Sequence, residues 1–133
     1  MKILSERVRG LVAPGDLPID RWREVVRAAH GAGHRGTTVM VYGAAETLVE
    51  RVEHLLELRE LQQEHGSVTE LVLMPHPVAA TVPTPERSRM DEHRATFAVA
   101  RLLLSETIRH LQVPWPRMTD AEVVTALRSG GDD

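Results

Sequence analysis

The chain has 133 residues, a formal net charge of -3, no cysteine and only 3% aromatic residues. That is the size of one ordinary domain, and the missing cysteines exclude disulfides, thiolate zinc sites and a thiolate-held iron–sulfur cluster in this polypeptide. Mild acidity with few aromatics leaves no footprint for nucleic acid. No apolar run approaches the roughly 20 residues that span a bilayer.

The first ten residues carry Lys2, Glu6, Arg7 and Arg9 and lack a signal-peptide core, so a cytoplasmic protein is expected. Trp22, Val25, Val26 and Ala29 form a one-sided apolar stripe. Pro18 suits that helix's first turn, and Gly31 and Gly33 end it. The apolar, β-prone run Val39 to Tyr42 reads as a parallel strand buried on both faces. Gly43 permits a sharp turn, and Thr47 with Glu50 spells a capping box that opens a helix from about Leu48 to Glu64. Val52, Leu55, Leu56 and Leu61 are its apolar side, and Gly66 stops it. Its charged run from Glu57 to Glu64 reads as a solvated face.

A second strand is expected from Thr69 to Met74, halted by Pro75-His76-Pro77. A loop from Ala79 to Pro85 leads to a helix from Glu86 to about Ile108, with Phe97, Ala100, Leu103, Leu104 and Ile108 along one side. A third short strand, His110 to Val113, ends at Pro114-Trp115-Pro116. Thr119 and Glu122 make a second capping box for a last helix through Leu127, closed by Gly130-Gly131. The expected fold class is α/β, a partial TIM-type barrel of about three parallel strands alternating with four helices, forming a single unit over residues 1–133. Such a sheet is small and leaves two edges exposed, so a piece of a larger barrel is expected.

Residues in order and spacing along nearly the whole chain carry a resemblance. They are Glu6-Arg7-Val8-Arg9, Leu17-Pro18 with Trp22, Ala28-Ala29-His30, Thr37 to Gly43 with Glu46-Thr47, and Leu58 to Gln62. Gly66, Thr69-Glu70, Met74-Pro75, Arg94 with Ala98 to Arg101, and Gln112-Val113 with Trp115 complete the set. The chain resembles the C-terminal half of radical S-adenosylmethionine (SAM) enzymes of the FO synthase subunit and dehypoxanthine futalosine cyclase family. The resemblance implies a barrel whose other half holds a 4Fe-4S cluster on a C-x3-C-x2-C loop, with no cluster ligand in this chain. It implies that Tyr42, Gly43 and Glu46 lie against SAM. The relatives usually carry His at the position of Ala44, which leaves the substrate open, and Gly-Phe at Ser67-Val68, which reads as a packing change.

Glu46, at the carboxyl end of a strand, is a candidate acceptor for a ribose hydroxyl or an amine. Alternatively it only favours the following helix's N-terminus. Glu70, His76 and Gln112 are candidate substrate-binding residues. Glu70 serves only if it points into the barrel and otherwise is a charge at a strand entry; His76 reads alternatively as a loop histidine, and Gln112 as a core glutamine. Trp115 could floor a pocket or belong to the core. His30 and His34 have metal-binding spacing, but the intervening glycines break the helix, so no metal is expected.

Three functions are compatible with these residues. One is part of a radical SAM enzyme for a small-molecule substrate, dependent on a partner that carries the cluster; alone, this chain could not start that chemistry. Another is a non-catalytic half-barrel module that pairs with a second copy. A small hydrolase or phosphatase is disfavoured, because no nucleophile elbow, P-loop or aspartate-rich cluster is present.

Overall fold

The computed structural model describes residues 3–77 and 86–133; the loop expected over 79–85 lies outside them. Five helices and three strands alternate: α1 Glu6–Val12, α2 Ile19–Gly31, β1 Gly36–Tyr42, α3 Leu48–His65, β2 Val68–Pro75, α4 Glu86–Leu104, β3 His110–Gln112 and α5 Asp120–Arg128. A 3-10 turn over Trp115–Arg117 precedes α5. The sheet is parallel, in the order β1-β2-β3. This is an open α/β sheet.

The expected boundaries hold where capping chemistry sets them. Thr47 accepts from the Glu50 N–H and Thr119 from the Glu122 N–H, with both glutamates reaching back to the cap backbone. Gly66 closes α3 in the left-handed conformation at φ 62. The helix expected to reach Ile108 instead stops at Leu104, and Ile108 is buried in the following turn. Helix α1 was not expected. Ser5 caps it, and tertiary contacts hold it: Val8 enters the core, and the Arg9 guanidinium donates to the Leu17 carbonyl. At seven residues it is too short to show a period and too short to persist alone.

Strand parity divides the sheet into two faces. Met40, Tyr42, Leu71, Leu73 and Leu111 are fully buried and join Leu55, Leu58, Phe97, Ala100 and Leu104 of the helices in one core. Each such leucine contributes roughly 1.5–3 kcal/mol through burial. Val39, Val41, Glu70, Val72, Met74 and Gln112 alternate with these and occupy the opposite face, where most are only half-buried. Valines 39 and 41 are therefore not buried on both sides as the strand pattern suggests.

Other expectations shift for similar reasons. Val25 is exposed, so α2 packs through buried Ile19 and half-buried Trp22, Val26 and Ala29. The charged run on α3 is not simply solvated: Glu57 pairs with Arg23 at 2.7 Å and Glu64 with Arg27 at 2.9 Å, tying α2 to α3. The β3 edge is partly covered, because the Asp132 N–H donates to Leu111 O, and the Leu111 N–H to the Asp132 carboxylate. Arg101 anchors that tail through Gly130 O.

Candidate functional site

A cleft of about 430 Å³ opens at the carboxyl end of the sheet, between α4 and α5. Parallel α/β sheets place ligands at this end, because the loops that vary all leave from it. Tyr42 and Pro75 reach it from the ends of β1 and β2, which are register partners. His76 follows, its N–H donating to Tyr42 O at 2.7 Å. Helix α4 supplies Arg89, Glu92 and His93, and the segment before α5 supplies Pro116, Arg117 and Met118.

A buried polar chain forms the cleft's inner wall. The Tyr42 hydroxyl lies 2.7 Å from His93 Nδ1, and His93 Nε2 lies 3.3 Å from Glu122 Oε1. All three residues are buried. With Glu122 ionised, a neutral imidazole meets both contacts by donating from Nε2 and accepting the Tyr42 proton at Nδ1. Burial pushes the Tyr42 phenol well above its usual range, reinforced by the Glu92 carboxylate. Burial also opposes the charge on Glu122, but hydrogen bonds from Thr119 and His93 outweigh it and keep the carboxyl below its ordinary value. The arrangement can hold a hydrogen-bonded ring in place and pass polarity between α5 and β1.

Arg51 sits beneath this chain. Its guanidinium lies 5.1 Å from the Tyr42 ring centre, a cation–π distance. It donates to Glu46 at 2.6 Å, to Glu92 at 2.9 Å and to Thr96 at 2.7 Å. One cation thus joins the β1 turn to α4.

The sequence-derived candidates separate. Tyr42 and His76 line the cleft. Gly43, at φ 84, makes the turn just beyond, and its N–H donates to Glu46 at 2.5 Å. The Glu46 carboxylate is turned inward, 1% exposed, and also receives Ala44 N–H at 3.0 Å. Burial alone would raise its pKa; the Gly43 N–H and Arg51 reverse this and keep it low. Glu46 thus presents no free acceptor to a ribose or an amine as placed. Glu70 and Gln112 lie on the opposite face of the sheet. Gln112 stands level with Val72, three residues short of the β2 end at Pro75, and Glu70 lies lower still, level with His110. Trp115 neither floors the cleft nor joins the core: it is 71% exposed. Among the described residues no cluster of three metal-ligating side chains occurs.

No family model matches the chain. Curated relatives do match. The chain is 36% identical over 140 residues to the 5-amino-6-(D-ribitylamino)uracil--L-tyrosine 4-hydroxyphenyl transferase 1 of Methanosarcina barkeri (strain Fusaro / DSM 804), covering 99% of the chain and 37% of that protein. The corresponding transferase of Archaeoglobus fulgidus is 32% identical over 138 residues, with 99% and 39% covered.

The chain is similar to tyrosine 4-hydroxyphenyl transferases. It spans 37% of the length of the first of them. This corrects the resemblance drawn from the sequence. These relatives carry one name, that of the hydroxyphenyl transferase, and not that of the C-terminal half of a radical SAM enzyme shared with futalosine cyclases.

Proposed function

We propose that this chain is part of an enzyme that transfers the 4-hydroxyphenyl group of L-tyrosine to 5-amino-6-(D-ribitylamino)uracil, an FO synthase-like activity. The observation that carries the reading is identity of 36% sustained over 99% of the chain. The cleft at the carboxyl end of a parallel sheet supports it, being where such a fold receives small molecules. In this reading the open three-stranded sheet is an arc of a barrel, and the remaining elements come from a further polypeptide segment. SAM is the proposed cofactor, packing on the Gly43 backbone, while Glu46 and Arg51 hold that turn. Glu70 and Gln112 are proposed to meet substrate on the face away from the helices. A 4Fe-4S cluster would find no cysteine ligand in these 133 residues. No described helix is long and apolar enough to cross a membrane, and a cytoplasmic location is part of the proposal.

A chimera tests it. Residues 1–133 replace the matching segment of the Methanosarcina barkeri relative, and the product formed from L-tyrosine and the ribitylamino-uracil is measured. Turnover supports the reading; a folded chimera that makes none while the parent does overturns it. The half-buried sheet face at Val39, Val41 and Met74, with a β1 edge that pairs with no strand among the described residues, favours a second reading in which two copies associate. Light scattering that returns a monomer would remove that reading.

A further inference from the structure

We infer that α1 sets the shape of the turn at the carboxyl end of β1, with Arg7 as the positioning residue. The inference rests on the proposed transferase only for what that turn meets, the SAM of the proposed reaction.

The turn, Gly43 to Glu46, has little backbone bonding of its own. Among the described residues none of its N–H or carbonyl groups bonds to another backbone group. Side chains supply the partners instead. Glu46 receives the Gly43 N–H at 2.5 Å and the Ala44 N–H at 3.0 Å, and Arg51 fixes that carboxylate from within at 2.6 Å. At the far end, Glu50 receives the Thr47 N–H at 2.8 Å. Between these two fixed points stands the Ala45 carbonyl. Arg7 Nη2 donates to it at 2.8 Å from the solvent side, across 38 residues of chain.

The Arg7 guanidinium is itself held before it reaches the turn. Its Nε meets Glu50 Oε1 at 3.0 Å and its Nη2 meets Glu50 Oε2 at 2.5 Å, a two-point grip that fixes the plane of the fork. The rest of α1 is anchored without Arg7. Ile3 and Val8 are buried in the core, the Leu4 N–H donates to His54 Nδ1 at 3.1 Å, and Ser5 Oγ donates to Glu50 at 2.7 Å. Removing the Arg7 side chain should therefore free the turn and leave the helix docked. Arg7 is 51% exposed, and an ion pair so placed adds at most about 1 kcal/mol to the fold. Its consequence for the Ala45 peptide is the larger one, because that peptide has no strand or helix ladder to keep it from rotating.

Amide exchange of the full chain, followed by NMR, tests this. In Arg7→Ala the Gly43 amide is expected to exchange at least about tenfold faster while the β2 amides keep their rates. Arg27→Ala is the matched control: it removes another exposed arginine paired with a glutamate, Glu64, and touches no part of the turn. It should leave Gly43 unchanged. Arg7→Lys keeps a cation and a donor at the same place and should restore most of the protection. Unchanged Gly43 exchange in Arg7→Ala, equal acceleration in Arg27→Ala, or acceleration spread through β2 overturns the inference. In the chimera, Arg7→Ala should raise the KM for SAM by about fivefold or more and leave kcat and the KM for L-tyrosine within about twofold. A working chimera whose KM for SAM ignores Arg7 sinks this inference alone. A folded, inactive chimera sinks only the transferase reading, and Gly43 exchange then decides the clamp by itself.

Discussion

Thr47–Glu50 and Thr119–Glu122 spell the same capping box and start their helices with the same reciprocal bonds. Their glutamates nevertheless end in different roles. Glu50 receives Ser5 Oγ at 2.7 Å and Arg7 Nη2 at 2.5 Å, so it clasps α1 to α3 at the surface. Arg7 holds its carboxyl down to about 2. Glu122 points inward, and its other oxygen meets His93 beside the cleft. The four-residue signature fixes a helix start; the neighbouring elements decide whether the spare carboxylate oxygen serves a junction or a site.

The largest expected effect tests that difference. Glu122→Ala removes a cap and leaves the buried His93 N–H without an acceptor, costing about 2–4 kcal/mol in urea unfolding. Glu122→Gln keeps an acceptor and should recover most of it. If Glu122→Ala costs no more than Thr47→Ala, the two boxes are equivalent and the contrast fails.

Acid sharpens the comparison from the other side. His54, beneath α1, accepts the Leu4 N–H at 3.1 Å, and burial pushes its pKa down to about 3. The unfolded histidine, near 6.5, binds a proton that the folded one refuses. Stability is thus fully present above about pH 6.5 and falls as the pH drops from there towards 3, by up to about 1.4 kcal/mol per unit. Glu50 keeps its charge through that window, so the α1 junction should weaken through His54 first. Urea midpoints at pH 7 and pH 5 check this. A flat profile, or one unchanged in His54→Leu, contradicts it.

Thr47→Ala removes only an exposed cap and should cost about 1 kcal/mol. The smallest effect is Trp115→Ser: the exposed ring supports neither box, and stability should stay within about 0.5 kcal/mol. A larger loss would mean that the ring packs in solution.

Both boxes, the Gly66 stop and the two longer strands were legible in the sequence, because caps, glycine conformation and β-branched runs act over a few residues. The site was legible only in part. Tyr42 and His76 followed from their place at strand ends. Arg51, Arg89, Glu92 and His93 were not singled out, because a charged residue within a helix pattern looks the same whether it faces water or a cleft. Glu46 was singled out with two readings, an open acceptor or a charge at the following helix's start; Arg51, five residues on, turns it inward. Gln112 was expected at the rim with His76, but register sets it three residues below the β2 end; Glu70 was read near the strand's start, and it lies there, on the same face as Gln112. Helix α1 is held by contacts some 40 residues away, beyond the reach of local pattern.

The strand order follows the chain, and the helices α2 to α5 touch in the same sequence, each against its neighbour. Among the described residues no segment threads between two others to lock them. Loosening can therefore begin at one margin and travel inward, so amide exchange should be slowest in the central β2 and faster towards both flanks.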